Sequence, residues 1–168
     1  MYLTEYLRGR RVWFKSLPHA PASTASRLAA SLHVPGGRVA KAVLVRVGDG
    51  ERLAVLPATS RIDVVRLAAA LRVDPAVVRL ATSAELARRF PTCEPGAPPA
   101  LGSLFGVATV VDRSLDGLEI VFPGHTRQEG FLMRFADFEA LESPLRAGFA
   151  VPVAAAASRP APRRRRAG

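Results

Sequence analysis

Lysine is scarce in this chain: of 24 basic residues only two are lysine, Lys15 and Lys41. Elsewhere positive charge is supplied by arginine, whose planar guanidinium keeps its proton at any working pH. A retained lysine offers a compact ammonium that can titrate. Lys15 reads as surface charge near the N-terminus. Lys41 opens the run AKAVLVRV, apolar enough for a buried strand. Its ammonium either snorkels outward or faces a pocket. The histidines are His19, His33 and His125, and none belongs to an HExxH pattern or a Cys/His cluster, so no metal site is expected. His33 sits at a helix end, whereas His19 and His125 fall in loops where either can line a site. Cys93 is the single cysteine. It excludes an internal disulfide framework; its thiol is either inert, the commoner case for a lone cysteine, or a nucleophile paired with a histidine. A GxSxG elbow and a Walker motif are both absent, and no cofactor is expected.

The stretch CEPGAPPALG is the other feature that bears on chemistry. Pro95, Pro98 and Pro99 fix φ and remove amide donors. Gly96 and Gly102 open conformations closed to other residues. Such a loop is stiff and holds its backbone carbonyls and amides in place. That frame can orient a water or an oxyanion without a reactive side chain, or it can serve as a rigid connector.

The elements that must position these groups follow from patterning. Thr4–Gly9 reads as a helix and Arg11–Leu17 as a strand. Ser23 or Thr24 caps a helix running to about His33. Val39–Val47 and Arg52–Leu56 form a hairpin across GDGE. Ile62–Leu71 has helical spacing with Asp63 in its first turn. Val77–Leu80 is a short strand, and Ser83 caps a helix through Phe90. Val107–Val111, Leu118–Phe122 and FLMRF are strands, and Ala136–Leu141 is a last helix. Hairpins and helices mix without a strict βαβ repeat. The expected fold is therefore α/β (mixed α+β), with a central, largely antiparallel mixed sheet flanked by helices.

A length of 168 residues suits one domain, and no run is long enough to cross a bilayer. The N-terminus has no signal-peptide core, and one cysteine agrees with a reducing, cytoplasmic setting. The net charge is +10, but six arginines and no acid lie from Arg146 onward. The remainder carries 18 basic against 14 acidic residues. Residues 1–150 are expected to fold, with 151–168 a disordered arginine-rich tail. The run Arg163–Arg166 either attracts phosphates in a salt-dependent way or merely solubilises. Nothing suggests an obligate dimer, so a monomer is expected.

The segments HAPAST, VPGGRVAKAVLV, LAVLPATSRIDVVRLAAAL, VRLATSAELARRFPTCEPGAPPALG, VVDRSL and PGHTRQEGFLMRF occur in an order that resembles the YbaK/prolyl-tRNA editing domain family. These are single-domain aminoacyl-tRNA deacylases related to the insertion domain of bacterial prolyl-tRNA synthetases. The resemblance spans roughly Leu3 to Glu142. It implies hydrolysis of an amino acid wrongly esterified to tRNA, acting in trans, with mischarged tRNA and an aminoacyl-tRNA synthetase as partners. Lys41 matches the family's pocket lysine, which holds substrate near the ester. Gly96, Ala97, Pro98 and Pro99 match the loop whose backbone places the attacking water. His19, Ala42, Gly102, His125 and Thr126 are the expected substrate-side residues. An aminoacyl ester is already activated, so positioning and backbone electrostatics suffice. Ala42 stands where the family often has a polar residue that sorts amino acids by size. Ala100 replaces a frequent second proline, and Gly124-His125-Thr126 replaces a Gly-Thr-His-like turn. The alternative is a non-catalytic tRNA- or synthetase-binding module on the same fold. A small-molecule esterase reusing the pocket is the weaker third option.

Overall fold

In the computed structural model, which describes residues 2–153 except 116 and 118, the chain opens with α1 (Leu3–Gly9). Leu3, Tyr6 and Leu7 recur at helical spacing and are buried. Arg11 turns with φ +56°, and β1 (Phe14–Pro18) begins three residues later than Arg11–Leu17 predicts. Thr24 caps α2 (Ala25–Leu32) by accepting the Arg27 N–H. A 3-10 turn at Gly36–Arg38 leads into β2 (Ala40–Val47). Gly48 and Asp49 then reverse the chain into β3 (Gly50–Pro57), the hairpin expected from GDGE.

β4 (Ser60–Ile62) precedes α3 (Val64–Leu71). Asp63 accepts the N–H groups of Val65 and Arg66, so it caps α3 rather than lying in its first turn. β5 (Val78–Leu80) is followed by α4 (Ser83–Arg89). The α4 cap is Thr82, which forms a capping box with Glu85, rather than Ser83. After the proline-rich loop come β6 (Thr109–Asp112), β7 (Glu119–Pro123) and β8 (Glu129–Arg134). α5 (Phe135–Glu142), β9 (Leu145–Ala147) and β10 (Ala150–Pro152) complete the described residues. The tail expected over 151–168 starts too early, because Val151 and Pro152 pair with Arg61 and Ser60 in β10; its part beyond 153 lies outside the described residues, as does Leu118 of the expected Leu118–Phe122 strand.

The fold is mixed α+β. A five-stranded sheet runs β5-β2-β3-β6-β9, a three-stranded sheet β1-β8-β7, and a two-stranded ribbon β10-β4. Pairing is antiparallel except between β3 and β6 and between β6 and β9. The strands β4, β9 and β10 have three residues each, too few for alternation to announce them.

Asp112 explains how the last of these is held. Its carboxylate is 3% exposed and accepts the N–H groups of Phe149 and Ala150, both at 2.7 Å. The Ser114 N–H (2.9 Å) and hydroxyl (2.5 Å) also donate to it. Burial alone would raise its pKa; these hydrogen bonds outweigh burial and hold it below the usual carboxylate range.

The five-stranded sheet has two apolar faces. Ala40, Leu44, Leu53 and Val55 pack with α1, the proline-rich loop and α5. Val45, Ala54, Leu56 and Val110 pack with α3 and Phe149. A third cluster joins α2, Ala22, Val39, Ala58 and Val121 between the two larger sheets.

Candidate functional site

Three loops converge at one edge of the molecule. The first follows β1 (residues 19–23), the second is the proline-rich loop (93–99), and the third joins β7 to β8 (124–128). Backbone hydrogen bonds lock them together. Amides of His19 and Ala22 donate to the carbonyls of Gln128 (2.9 Å) and Arg127 (2.7 Å). The Glu94 N–H donates to the His125 carbonyl at 2.8 Å. The Glu94 carboxylate in turn accepts the Arg127 N–H at 2.7 Å.

Gly96 is the point of closest approach. It has φ +85°, and a Cβ built there would come closer than 3.0 Å to the carbonyl oxygen of Ser23. Only glycine satisfies both conditions. Gly102, at the far end of the loop, is pressed in the same way against the Val107 carbonyl and the Thr109 side chain. Between them Ala97, Pro98, Pro99, Ala100 and Leu101 are buried. The Ala97 N–H is spent on the Glu94 carbonyl at 3.0 Å, and the prolines have none. The carbonyls of residues 95–99 accept no hydrogen bond from described residues. The loop is stiff, and much of its backbone polarity is unspent.

Two imidazoles flank it. His125 is 7% exposed, packs edge-on to Tyr2 and tilted to Phe105, and its Nε2 is buried without a partner. Burial holds its pKa below the ordinary histidine value, with Glu129 pulling weakly the other way. The His19 Nδ1 lies 2.6 Å from the Ala20 carbonyl, which assigns the proton to Nδ1. Its Nε2 is then a bare acceptor, also buried without a partner. Buried polar atoms are almost always paired, so two orphaned ring nitrogens in adjoining loops mark a place where a ligand's polar atoms would be satisfied. Thr126, in the same turn, accepts the Gln128 N–H through its hydroxyl at 3.4 Å.

Lys41 sits at the mouth of β2, opposite Leu56. Its pKa is lowered by burial, and no acid or hydrogen-bond acceptor among the described residues pairs with it. Strand alternation starts its side chain on the Val43 and Val45 face, while Ala42 lies on the face that packs with Ala100 and Leu101. The link from Lys41 to the three loops runs through the backbone. Val39 accepts the Ala58 N–H at 2.8 Å, and both pack with Ala22, the neighbour of Ser23. Ala42, Gly96, Ala97, Pro98, Pro99 and Gly102 thus share the loop side, with His19, His125 and Thr126 at its rim.

Cys93 lines a cavity of about 260 Å³ with Leu86, Phe90, Pro95 and Pro98 beside the loop. Burial pushes its thiol up to about 11, which removes it as a nucleophile near neutral pH. Glu94, Arg127 and Ser23 carry the loop junctions and were not singled out from the sequence. The signal available for them was only that CEPG and HTRQ bear charges beside turn residues. Among the described residues no group of three or more His, Cys, Asp or Glu can hold a metal ion, and no helix is long and apolar enough to cross a membrane.

A family model described as an aminoacyl-tRNA editing domain matches residues 19–141, a span that contains all three loops and Lys41. No curated protein matches the chain. Among solved structures, the crystal structure of a hypothetical protein superposes with a TM-score of 0.77 at 20% identity, covering 89% of this chain and 99% of that one. The crystal structure of "a putative trans-editing enzyme for prolyl tRNA synthetase" is similar at a TM-score of 0.73 and 19% identity, covering 88% of this chain and 93% of that one. At these identities the likeness to solved structures is one of fold.

Proposed function

The chain belongs to the aminoacyl-tRNA editing domain family, and from that membership we infer that it is a trans-acting deacylase that hydrolyses the ester of a mischarged tRNA, of the tRNA-Pro type or a close relative. The observation that carries this reading is the convergence of the three loops. They present unspent loop carbonyls and two orphaned imidazole nitrogens around one locus, with no strong nucleophile among them.

That inventory, with Lys41 as the donor it lacks, meets the needs of the reaction. An aminoacyl ester needs a positioned water, a place for the developing oxyanion and a grip on the terminal ribose and α-amino group. In the proposed arrangement the Gly96–Pro99 backbone orients the water. The bare Nε2 of His19 accepts a donor from the ribose or the α-amino group, and the unpaired Nε2 of His125 supplies a further polar contact. Lys41 reaches round the strand mouth to hold the substrate's phosphate or carbonyl oxygen. Its lowered pKa reflects a charge kept half-desolvated without a partner, which a phosphate would supply. Ala42 leaves the loop side apolar and short, which suits a small amino-acid side chain. The fold through β10 forms the catalytic unit, acting alone or beside a synthetase.

The test is a panel of Ala-, Ser- and Cys-charged tRNA-Pro, followed by other charged tRNAs, with wild type and Lys41→Ala side by side. Hydrolysis above buffer by wild type and its loss in Lys41→Ala is the expected result. A panel with no hydrolysis, or with identical rates for the two proteins, overturns the reading or the lysine's part in it respectively.

A further inference from the structure

The three-stranded sheet β1-β8-β7 has one face only half covered. Lys15 and Leu17 project from β1 on that face, opposite Leu132 and Gly130 of β8 and Val121 and Pro123 of β7, and Trp13, just before β1, lies beside Arg134, which pairs with Glu119 of β7. At the Leu17 end α2 closes over it: a Cβ on Gly130 would touch Leu28 and Leu32 at 3.4 and 3.3 Å. At the other end, among the described residues, the Gly36–Arg38 turn reaches only the Glu119 edge, and Trp13, Lys15 and Arg134 are exposed. Trp13 remains 46% exposed, with the Arg134 guanidinium 5.7 Å from its ring centroid. The acid on this half, Glu119, is already paired with Arg38 at 3.2 Å. Lys15 and Arg134 have no acid partner among the described residues, nor do Arg8 and Arg11 beside the turn leading to β1; the Arg10 guanidinium is engaged elsewhere, 5.2 Å from the Tyr6 ring centroid.

An exposed indole beside two cations without acid partners on an open sheet face is poor design for a surface that meets only water. It is suited to a polyanion with flat faces: cations take phosphates and the aromatic takes a base. The position adds direction. β1 runs from this platform straight to His19, six residues on, about 20 Å at strand rise. A molecule whose 3′ end enters the three-loop site therefore has its next segment over the platform.

We propose that the open half of this sheet face is the RNA-docking surface, on which Trp13 stacks against a base at the acceptor-stem end while Lys15 and Arg134 hold its phosphates. The proposal rests on the deacylase reading for the identity of the RNA, and adds the surface that reading leaves unassigned.

Trp13 is the single tryptophan of the chain, so its emission reports on this surface alone. The experiment titrates the full chain with an uncharged acceptor-arm hairpin carrying a single-stranded 3′ end, at several salt concentrations. Trp13 emission and the anisotropy of the labelled hairpin are followed together. Quenching with the same midpoint as the anisotropy is expected. Lys15→Gln/Arg134→Gln should lower the slope of log affinity against log salt by about 2. RNA that binds with unchanged emission and an unchanged slope overturns the proposal and moves docking elsewhere, the Arg163–Arg166 run included. Failure to bind RNA overturns it too, as does stronger quenching by vesicles containing anionic phospholipid than by RNA. Ester hydrolysis on a short single-stranded aminoacyl 3′ fragment is measured separately. Hydrolysis without platform binding overturns only the platform, and platform binding without hydrolysis overturns only the deacylase.

Discussion

Gly96 passes so close beneath the carbonyl oxygen of Ser23 that no Cβ fits between them, and it does so at φ +85°. This contact seats the proline-rich loop on the chain entering α2. It therefore sets where the loop's unspent carbonyls lie relative to His19 and His125.

Gly96→Ala should shift the loop rather than unfold the protein, because Ala97 to Leu101 remain anchored in the core. The cost in stability is expected at about 1–2 kcal/mol, from a strained φ and a forced displacement. Deacylation of charged tRNA should fall at least tenfold, since a misplacement of about 1 Å is costly in a positioning mechanism. Thermal unfolding and turnover on the same preparation check the two effects. Unchanged turnover would remove the loop from the mechanism.

Lys41 offers a sign that distinguishes function from scaffold. Burial lowers its folded-state pKa below the unfolded value. Between the two values the unfolded chain binds more protons, so stability rises with pH through that window. Below it, the cost of the buried ammonium is fully present. Lys41→Met should therefore be as stable as wild type or more stable at pH 7, while deacylation falls about 10- to 100-fold. Denaturant unfolding and turnover measure both. A variant that loses stability at pH 7 would make Lys41 a structural residue.

Asp112 titrates in the opposite sense. Its folded pKa is held below the unfolded value. The stability it contributes is fully present above the unfolded pKa and is lost as pH falls through the folded one. Asp112→Ala leaves the N–H groups of Phe149 and Ala150 without their acceptor. A loss of about 3 kcal/mol at pH 7 is expected, shrinking toward pH 2. Urea unfolding at pH 7, 4 and 2.5 checks it, and a pH-independent difference would refute the clamp.

Cys93 should be a slow thiol. With its pKa pushed up to about 11, the thiolate fraction at pH 8 is roughly a hundredfold below that of an unperturbed cysteine. Alkylation by iodoacetamide should slow in proportion, and Cys93→Ala should retain deacylation within about twofold. Rapid alkylation, or a dead Cys93→Ala variant that still folds, would reopen a thiol mechanism.

Local signals carried much of the fold. Thr24 before an amphipathic run specified α2, Gly48-Asp49 between two apolar runs specified the β2–β3 hairpin, and the Pro/Gly spacing of residues 95–102 specified a stiff loop. These are decided by backbone preferences and by periodicity, which act over a few residues. The caps at Thr82 and Asp63 were displaced by one residue or one role, because neighbouring polar residues compete for the same amides. The strands β4, β9 and β10 have too few residues to show a period. Their existence depends on pairings such as Ala150 with Ile62 and on the Asp112 clamp.

The site divides along the same line. The sequence alone determined which residues have the means to act: the rare lysine at a strand mouth, loop histidines, and a loop whose prolines and glycines freeze its backbone. Only the tertiary structure decided which of them meet. Glu94, Ser23 and Arg127 join loops far apart in the chain, and their side chains carry no periodic signature. Lys41 and Ala42 differ by one position, and the two-residue period of a strand sends them to opposite faces of the sheet. Which face looks onto the loop was set by long-range packing, because alternation identifies two faces but cannot say what will cover either of them.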